Sequence, residues 1–476
     1  MRALYILCCS LFYGLSGLAQ VDSTAGSHLS FDGASQFVDT RDTSLYSSFT
    51  VECWVKSPLA PSSLQGKGPV HYEKNFQINW DHVQSSARSS LVLNVTNGGW
   101  QSASFGPLEG EKWYHLAGTY DGDTLRAYTN GRLVTEKVFQ GGAPVKETFS
   151  LKIGKHAKLS GAQEYFKGSV DEVRVWDRAL SAIEIQTGMY HPLTGTETGL
   201  RHYYQFNAFQ IQGDSVRNLA AGNWAPIRFG PEIKNSGFPF GKGATTVLSV
   251  QAQNQQFFSF PPGGLVTLTT DSANRNFPLL FTRINQDFGG QGPDSTEFVP
   301  QKAPFFILQP LDTGCRFVAP YLRLDANWVS PGFTSALSSP GQLKVFRRDS
   351  HSEGNWELKD TCKSLFWASG HFLFDGLTQG QFHLALPKNL VRSQHPEISI
   401  RPLPYFTNEF GVRTIVWSGT ERPGKTVLFD FMGKSIQVWD QPSQSQLPLA
   451  NNVESGFYLI HSQINGQTVV GKIWVP

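Results

Sequence analysis

The chain has 476 residues, 16% of them charged and 13% aromatic, with 46 Gly, 27 Pro and a net charge of +2. That is too apolar for a disordered chain and too turn-rich for a helical one, and no basic stretch suits a nucleic-acid partner. The length allows three or four domains. With three Met and few long apolar periodic runs, they are expected to be all-β.

From the N-terminus, Arg2, the apolar run Ala3 to Leu15, and the small residues Gly17 and Ala19 form a signal peptide over residues 1–19, with Gln20 first after cleavage. No later stretch is apolar enough to span a bilayer, so no transmembrane segment is expected in the mature chain. Cys315 and Cys362 lie in one later region and are expected to pair in an oxidising compartment. Cys53 shares the parity of Phe49, Val51 and Val55 in "FTVECWVK", which predicts a buried apolar role.

Residues 20–207 carry closely spaced strand patterns, among them "HLSF", "FTVECWVK", "NFQINWD", "SLVLNV" and "WYHLAGTY". Asn130-Gly131 between two alternating runs predicts a hairpin, and Asp121-Gly122 closes another. In "YFKGSVDEVRVWDRALS" the alternation places Asp171 in line with Val173 and Val175, and Trp176 in line with Glu172 and Arg174. Ser181 and Glu184 form a capping box, so a short helix is expected to fold back and cover Trp176. Residues 208–244 are rich in Gly, Asn and Pro and read as a linker. Residues 245–400 read as a second β-sandwich. Residues 401–476 read as a small third one, with hairpins around Met432-Gly433-Lys434 and Asn465-Gly466.

The chemistry-bearing patterns are sparse. There is no phosphate loop, no Gly-x-Ser-x-Gly elbow and no zinc-like Cys/His spacing. Asp171 and Glu172 are adjacent, so on a regular strand they point to opposite faces and cannot flank one glycosidic bond. The chain is therefore expected not to be an enzyme. Ligand-binding candidates are Trp80, Asp81 and His82 in "NWDHVQ", and Asn97 and Trp100 in "NGGWQ". A ring face flanked by amides or carboxylates suits a sugar. The alternative is that Trp80 and Trp100 fill gaps beneath loops, as Trp54 and Trp176 are expected to fill the packing. Asp32 in "FDG" and Asp171 would meet if their strands were neighbours. Two readings stand: a structural calcium between them, or hydrogen bonds from turn amides around Asp32-Gly33 to Asp171.

"LSFDGASQFV", "FTVECWVK", "WYHLAGTYDGDTLRAYTNGRLV", "LKIGK" and "YFKGSVDEVRVWDRALSAIEI", in this order, resemble the laminin G-like jelly-roll family, which has the concanavalin A-like fold. The resemblance implies that fold, and it leaves function open among lectins, adhesion modules, hydrolases and spacers. Retaining glucanases of this fold carry Glu-x-Asp-x-x-Glu, which is missing here. Pentraxins, a related family, bind calcium after a strand ending in Ile-Gly. Here "IGKHAKLSGAQE" sets Lys155, His156 and Lys158 where oxygen ligands are required, so that site is expected to be absent. "VLFDFMGKSI" and "VESGFYLIHSQINGQTVVGKIWVP" resemble the C-terminal sorting domain of the type IX secretion system of Bacteroidetes. That likeness implies the secretion machinery as a partner and delivery to the medium or the outer-membrane surface. The middle region ("LKVFRRDSHSEGNWEL", "GQFHLAL") is similar to β-modules that follow such jelly rolls. The reading favoured is an exported adhesion protein that binds glycan or protein, with no certain cofactor and a structural calcium left as the open option. The alternatives are a glycan-active hydrolase with an unrecognised site and a surface structural protein without small ligand.

Overall fold

The computed structural model describes residues 26–61, 67–80, 89–139, 142–156 and 165–250, and from there to residue 475 chiefly the strands with the turns beside them. The expected signal peptide lies outside the described residues. The chain divides into two compact units, residues 1–366 with 370–390, and residues 391–476 with 367–369.

The first unit opens with a sandwich of seventeen strands: β1 (Ser27–Asp32), β2 (Phe37–Asp39), β3 (Phe49–Lys56), β4 (Val70–Tyr72), β5 (Phe76–Asn79), β6 (Ser90–Val95), β7 (Gly99–Ser104), β8 (Tyr114–Tyr120), β9 (Thr124–Thr129), β10 (Arg132–Val138), β11 (Lys152–Ile153), β12 (Lys167–Trp176), β13 (Leu200–Tyr204), β14 (Ile211–Gln212), β15 (Ser215–Arg217), β16 (Trp224–Arg228) and β17 (Glu232–Asn235). Helix α1 (Ala182–Gly188) follows β12. One sheet has eight strands in the order β10-β9-β8-β3-β12-β1-β17, with β13 also beside β12. The other has nine, in the order β14-β15-β16-β2-β11-β4-β5-β6-β7. Every pairing in both is antiparallel.

Alternation sets what the sheets enclose. Val51, Cys53 and Val55 of β3, Leu91 and Leu93 of β6, and Val173 and Val175 of β12 meet in one core. Asn130 and Gly131, both at positive φ, turn β9 into β10 with Thr129 opposite Arg132. Only residues that tolerate that backbone region make so tight a turn.

The reading of 208–244 as a linker does not survive. Strands β14 to β16 extend the nine-stranded sheet, β17 closes an edge of the eight-stranded one, and Val216, Ala225 and Ile227 join the core. Strands of two to five residues are too short to show alternation among so many turn formers.

The parity expected for Asp171 is corrected as well. Asp171 pairs with Trp54 but Arg174 pairs with Glu52, so two residues of β12 oppose one of β3. This is a β-bulge, with Glu172 at φ +49°. The bulge shifts the alternation by one. Val170, Val173 and Val175 face the core, while Asp171, Glu172, Arg174 and Trp176 all face outward. Helix α1, capped by Ser181 and Glu184, covers Trp176 together with Leu180 and Ile185.

The rest of the first unit holds two more antiparallel sheets. One has seven strands between Gly243–Val250 and Gly380–Pro387, and the other has five between Gln255–Ser259 and His371–Phe374. Trp54 of β3 stacks on Phe238 with centroids 4.4 Å apart. With Tyr190, Phe305 and Ile307 it forms an apolar seam joining the two sandwiches. Cys362 is buried. Cys315 lies outside the described residues, and so does the expected pairing.

The second unit holds a three-stranded and a four-stranded sheet. Thr426–Phe429 pairs with Ser435–Trp439, and Gly456–Ile464 with Gln467–Val475, antiparallel in both cases. These are the two hairpins expected, flanking residues 432–434 and 465–466. Ile415, Leu428, Ile460 and Val475 share its small core.

Candidate functional site

The outer face of the eight-stranded sheet is a closed ionic network. Arg174 Nη2 donates to Glu172 Oε2 at 3.1 Å, and Nη1 stands 3.5 Å from Glu52 Oε1. Trp176 Nε1 donates to Glu52 Oε1 at 3.2 Å, and His115 Nε2 lies 3.2 Å from Glu52 Oε2. Tyr203 OH donates to Glu172 Oε2 at 2.7 Å, and Arg174 also donates to the carbonyls of Gly188 and His191. All these charges are buried. Burial pushes Glu172 up to about 7 against the pull of Arg174. Asp171 is raised well above the carboxylate range by burial and then by the charge of Glu172. A substrate cannot reach carboxylates sealed in this way.

The outer face of the nine-stranded sheet is built differently. Cross-strand register aligns Asp39, Lys152, His71, Gln77, Val92 and Ser102 in one row across β2, β11, β4, β5, β6 and β7. A second row is Asn79, Ser90 and Ser104. Asn94 and Trp100 are paired beside them. His71, Gln77, Asn79 and Ser90 are buried. Asn79 Nδ2 donates to Gln77 Oε1 at 3.2 Å. Asn79 Oδ1 and Ser90 Oγ make no hydrogen bond among the described residues, an arrangement that folded chains seldom leave without a purpose. Lys152 sits 2.7 Å from Asp39 Oδ2. Burial lowers its pKa, with Asp39 pulling the other way.

The rims of this face carry exposed rings. Trp100, on the edge strand β7, is 50% exposed, and Trp224, on β16, is 40% exposed. Ala103 of β7 and Ala225 and Ile227 of β16 point into the core, so both tryptophans belong to the outer face. Asn97, exposed and at φ +67°, shapes the turn before Trp100.

The sequence-derived candidates separate accordingly. Asn97 and Trp100 stand together at the rim. Trp80 is a packing residue: it is 2% exposed, donates from Nε1 to the carbonyl of Leu59 at 3.0 Å, and joins the core. Asp81 and His82 lie outside the described residues. Asp32 and Asp171 do not meet. Asp32 lies opposite Lys167, and Asp171 is four positions further along β12, about 13 Å at strand rise. Asp32 is exposed and caps its own turn, with Oδ1 accepting from the amides of Ala34 at 2.8 Å and Ser35 at 3.0 Å. Asp171 accepts instead from Ser236 Oγ at 2.6 Å and its neighbour's amide at 2.8 Å. The bulge and the segment after β17 caused this, and neither shows in the residue pattern.

These residues do not fit calcium, which takes six to eight oxygen ligands. Asp32 already serves backbone amides, Asp171 is buried and proton-retaining, and the segment after β11 offers Lys155 and His156.

Residues 32–186 match the family model described as the concanavalin A-like lectin/glucanases superfamily, laminin G type. The sandwich has the concanavalin A-like fold, and this stretch is similar to the laminin G-like family. No curated protein matches the chain. Among solved structures, a candidate carbohydrate binding protein from Bacteroides ovatus ATCC 8483 is 20% identical, with 45% of this chain and 61% of that chain covered and a TM-score of 0.38. The SAP-like pentraxin of Limulus polyphemus is 14% identical over 45% of this chain and 97% of that one, with a TM-score of 0.28. Mouse laminin α1 domains LG4-5 are 7% identical over 76% and 82%, with a TM-score of 0.26. The superfamily that the family model describes has lectin and glucanase members, and the jelly roll offers one sealed and one partly open polar face.

Proposed function

We propose that the chain is an exported surface protein whose jelly roll binds an extended glycan on the outer face of its nine-stranded sheet, without covalent chemistry. The observation that carries this reading is Trp100, half exposed at the sheet edge, opposite Asn94 and next to the turn of Asn97. An exposed ring face beside amides is what recognition of a sugar requires. Inward from it, the half-buried Ser102 supplies a hydroxyl. Trp224 shares the face six strands away, about 29 Å at the usual strand spacing. Two platforms so far apart favour a polymer over a monosaccharide, and the polar rows between them favour glycan over an apolar protein surface. The carboxylates that do converge are buried under α1, which supports a binding role over a hydrolytic one.

Residues 401–476 are the address in this proposal, read by the type IX secretion machinery and leaving the jelly roll at the cell surface or in the medium. Their two hairpins and short core support a self-contained unit.

The test is a glycan array on the chain from Gln20, followed by calorimetry with the best polysaccharide and its oligosaccharides. Trp100→Ala is expected to weaken binding about tenfold, or 1.4 kcal/mol. Trp224→Ala is expected to matter only for the longer ligands. A blank array, or affinity unchanged in both variants, refutes the glycan reading. Deleting residues 401–476 is expected to hold the chain in the periplasm, and normal surface delivery refutes the address.

A further inference from the structure

Three side chains on the outer face of the nine-stranded sheet form a group that the glycan contact does not use. His71 lies on β4, Glu73 two residues later in the turn to β5, and His156 just past β11. His71 Nε2 is 4.0 Å from Glu73 Oε2, and His156 Nδ1 is 3.9 Å from the same oxygen. The two imidazole rings are 3.6 Å apart by centroid. All the ligand atoms lie within 4.8 Å of one another, and among the described residues no other group of three His, Cys, Asp or Glu does so. We propose that His71, Glu73 and His156 form a Zn²⁺ site with a fourth position left to water or a ligand hydroxyl.

Strand register explains the convergence. Residues i and i+2 share a face, so His71 and Glu73 point the same way. Lys152 of β11 pairs with His71, and the Gly154 amide donates to the Pro69 carbonyl at 2.8 Å. That bond ties the segment carrying His156 to the start of β4. The Phe166 amide donates to the Gly154 carbonyl at 2.9 Å from the other side. The ligands therefore sit on hydrogen-bonded backbone, which holds a metal site more accurately than free loops do.

The donor set selects the ion. Two imidazoles and one carboxylate are the three protein ligands of open tetrahedral zinc sites, with bonds of about 2.0–2.1 Å and ligand atoms roughly 3.3 Å apart. The two separations to Glu73 exceed that by less than an ångström and all three lie within 4.8 Å, gaps that rotamer adjustments of Glu73 and His156 close. Calcium and magnesium want oxygen and are poorly served by two nitrogens. The cations nearby are already engaged. Lys152 pairs with Asp39, Lys74 with Glu147, and Lys155 lies over the rings of Phe37 and Tyr165.

The site shares its face with the proposed glycan contact but does not rest on that reading, because metal uptake is measured without glycan. The full chain is stripped with a chelator, dialysed against Zn²⁺ and assayed for metal, and Co²⁺ is substituted for its visible spectrum. One Zn²⁺ per chain and four-coordinate Co²⁺ bands are expected. His156→Ala and Glu73→Gln, which touch less of the interior than His71, are each expected to weaken Zn²⁺ binding at least 100-fold with circular dichroism unchanged. A hundredfold excess of Ca²⁺ is expected not to displace the zinc. No zinc uptake, zinc retained at full affinity in both variants, or displacement by Ca²⁺ would each overturn the proposal.

Discussion

The two sheets of the jelly roll both carry polar side chains on their outer faces, and both withdraw them from water. They do so to opposite ends. On the eight-stranded sheet each charge has a partner: Arg174 lies between Glu52 and Glu172, Tyr203 and Trp176 donate to the two carboxylates, and His115 stands 3.2 Å from Glu52. Helix α1 and the seam around Trp54 lie over that face. On the nine-stranded sheet Ser90 Oγ and Asn79 Oδ1 have no partner among the described residues, and exposed tryptophans stand at the rims. Buried atoms without a hydrogen-bond partner also occur on the eight-stranded face, Glu52 Oε2, His115 Nδ1 and Arg174 Nε among the described residues, so what sets the nine-stranded face apart is its exposed tryptophans.

The largest expected effect tests the sealed face. Arg174→Met leaves Glu52 and Glu172 buried without their cation and is expected to cost about 3–5 kcal/mol in denaturant unfolding. Adding Glu52→Gln and Glu172→Gln should recover much of that loss, because the uncompensated charge goes with them. A cost below about 1 kcal/mol for Arg174→Met would mean that this face is not held by its charges.

The pH dependence sharpens the same point. Glu172 keeps its proton up to about 7 when folded, against 4.5 in the ordinary case. Between these values the folded state binds more protons, so this group's contribution to stability falls as pH rises. Glu172→Gln is expected to remove most of that fall. His28, lowered to about 3 by burial, imposes a rise with pH between about 3 and 6.5, because there the unfolded state holds the extra proton. Melting curves of wild type and variant at matched pH cancel the His28 part. Parallel curves from pH 4.5 to 7 would refute the assignment to Glu172.

A smaller effect is expected at Asp32, which belongs to neither network. Asp32→Ala loses a turn cap and should cost about 1 kcal/mol. EDTA should shift the melting temperature of wild type and variant equally, and a shift confined to wild type would revive a cation at Asp32.

The smallest effect separates the faces most directly. Ser90→Ala removes a buried hydroxyl that has no partner among the described residues, so stability should hold or improve, within about 1 kcal/mol. If Ser90→Ala destabilises the chain as Arg174→Met does, the nine-stranded sheet is as closed as the other.

Much of this was written in local patterns. Alternation in "FTVECWVK" placed Cys53 in the core, Asn130-Gly131 marked a tight hairpin, and Ser181 with Glu184 marked the helix over Trp176. Each depends on residues within a few positions of one another, whose geometry follows from period and turn chemistry. Asn97 and Trp100 were legible as neighbours in one Gly-rich stretch, and the structure alone set Trp100 on an edge strand. What the alternation could not show was the bulge at Glu172, since one extra residue in a strand has no signature in hydrophobic period. With the bulge went the facing of Asp171 and the prospect of its meeting Asp32. Trp80 has the composition of a binding residue, and only packing assigned it to the core. The short strands β14 to β17 looked like a linker because their hydrogen-bond partners lie far away in sequence. His71, Glu73 and His156 are separated by up to 85 positions and have no spacing motif. Antiparallel register between β4 and β11 brings them within reach, and register between distant strands is set by the whole sheet, not by the residues it aligns.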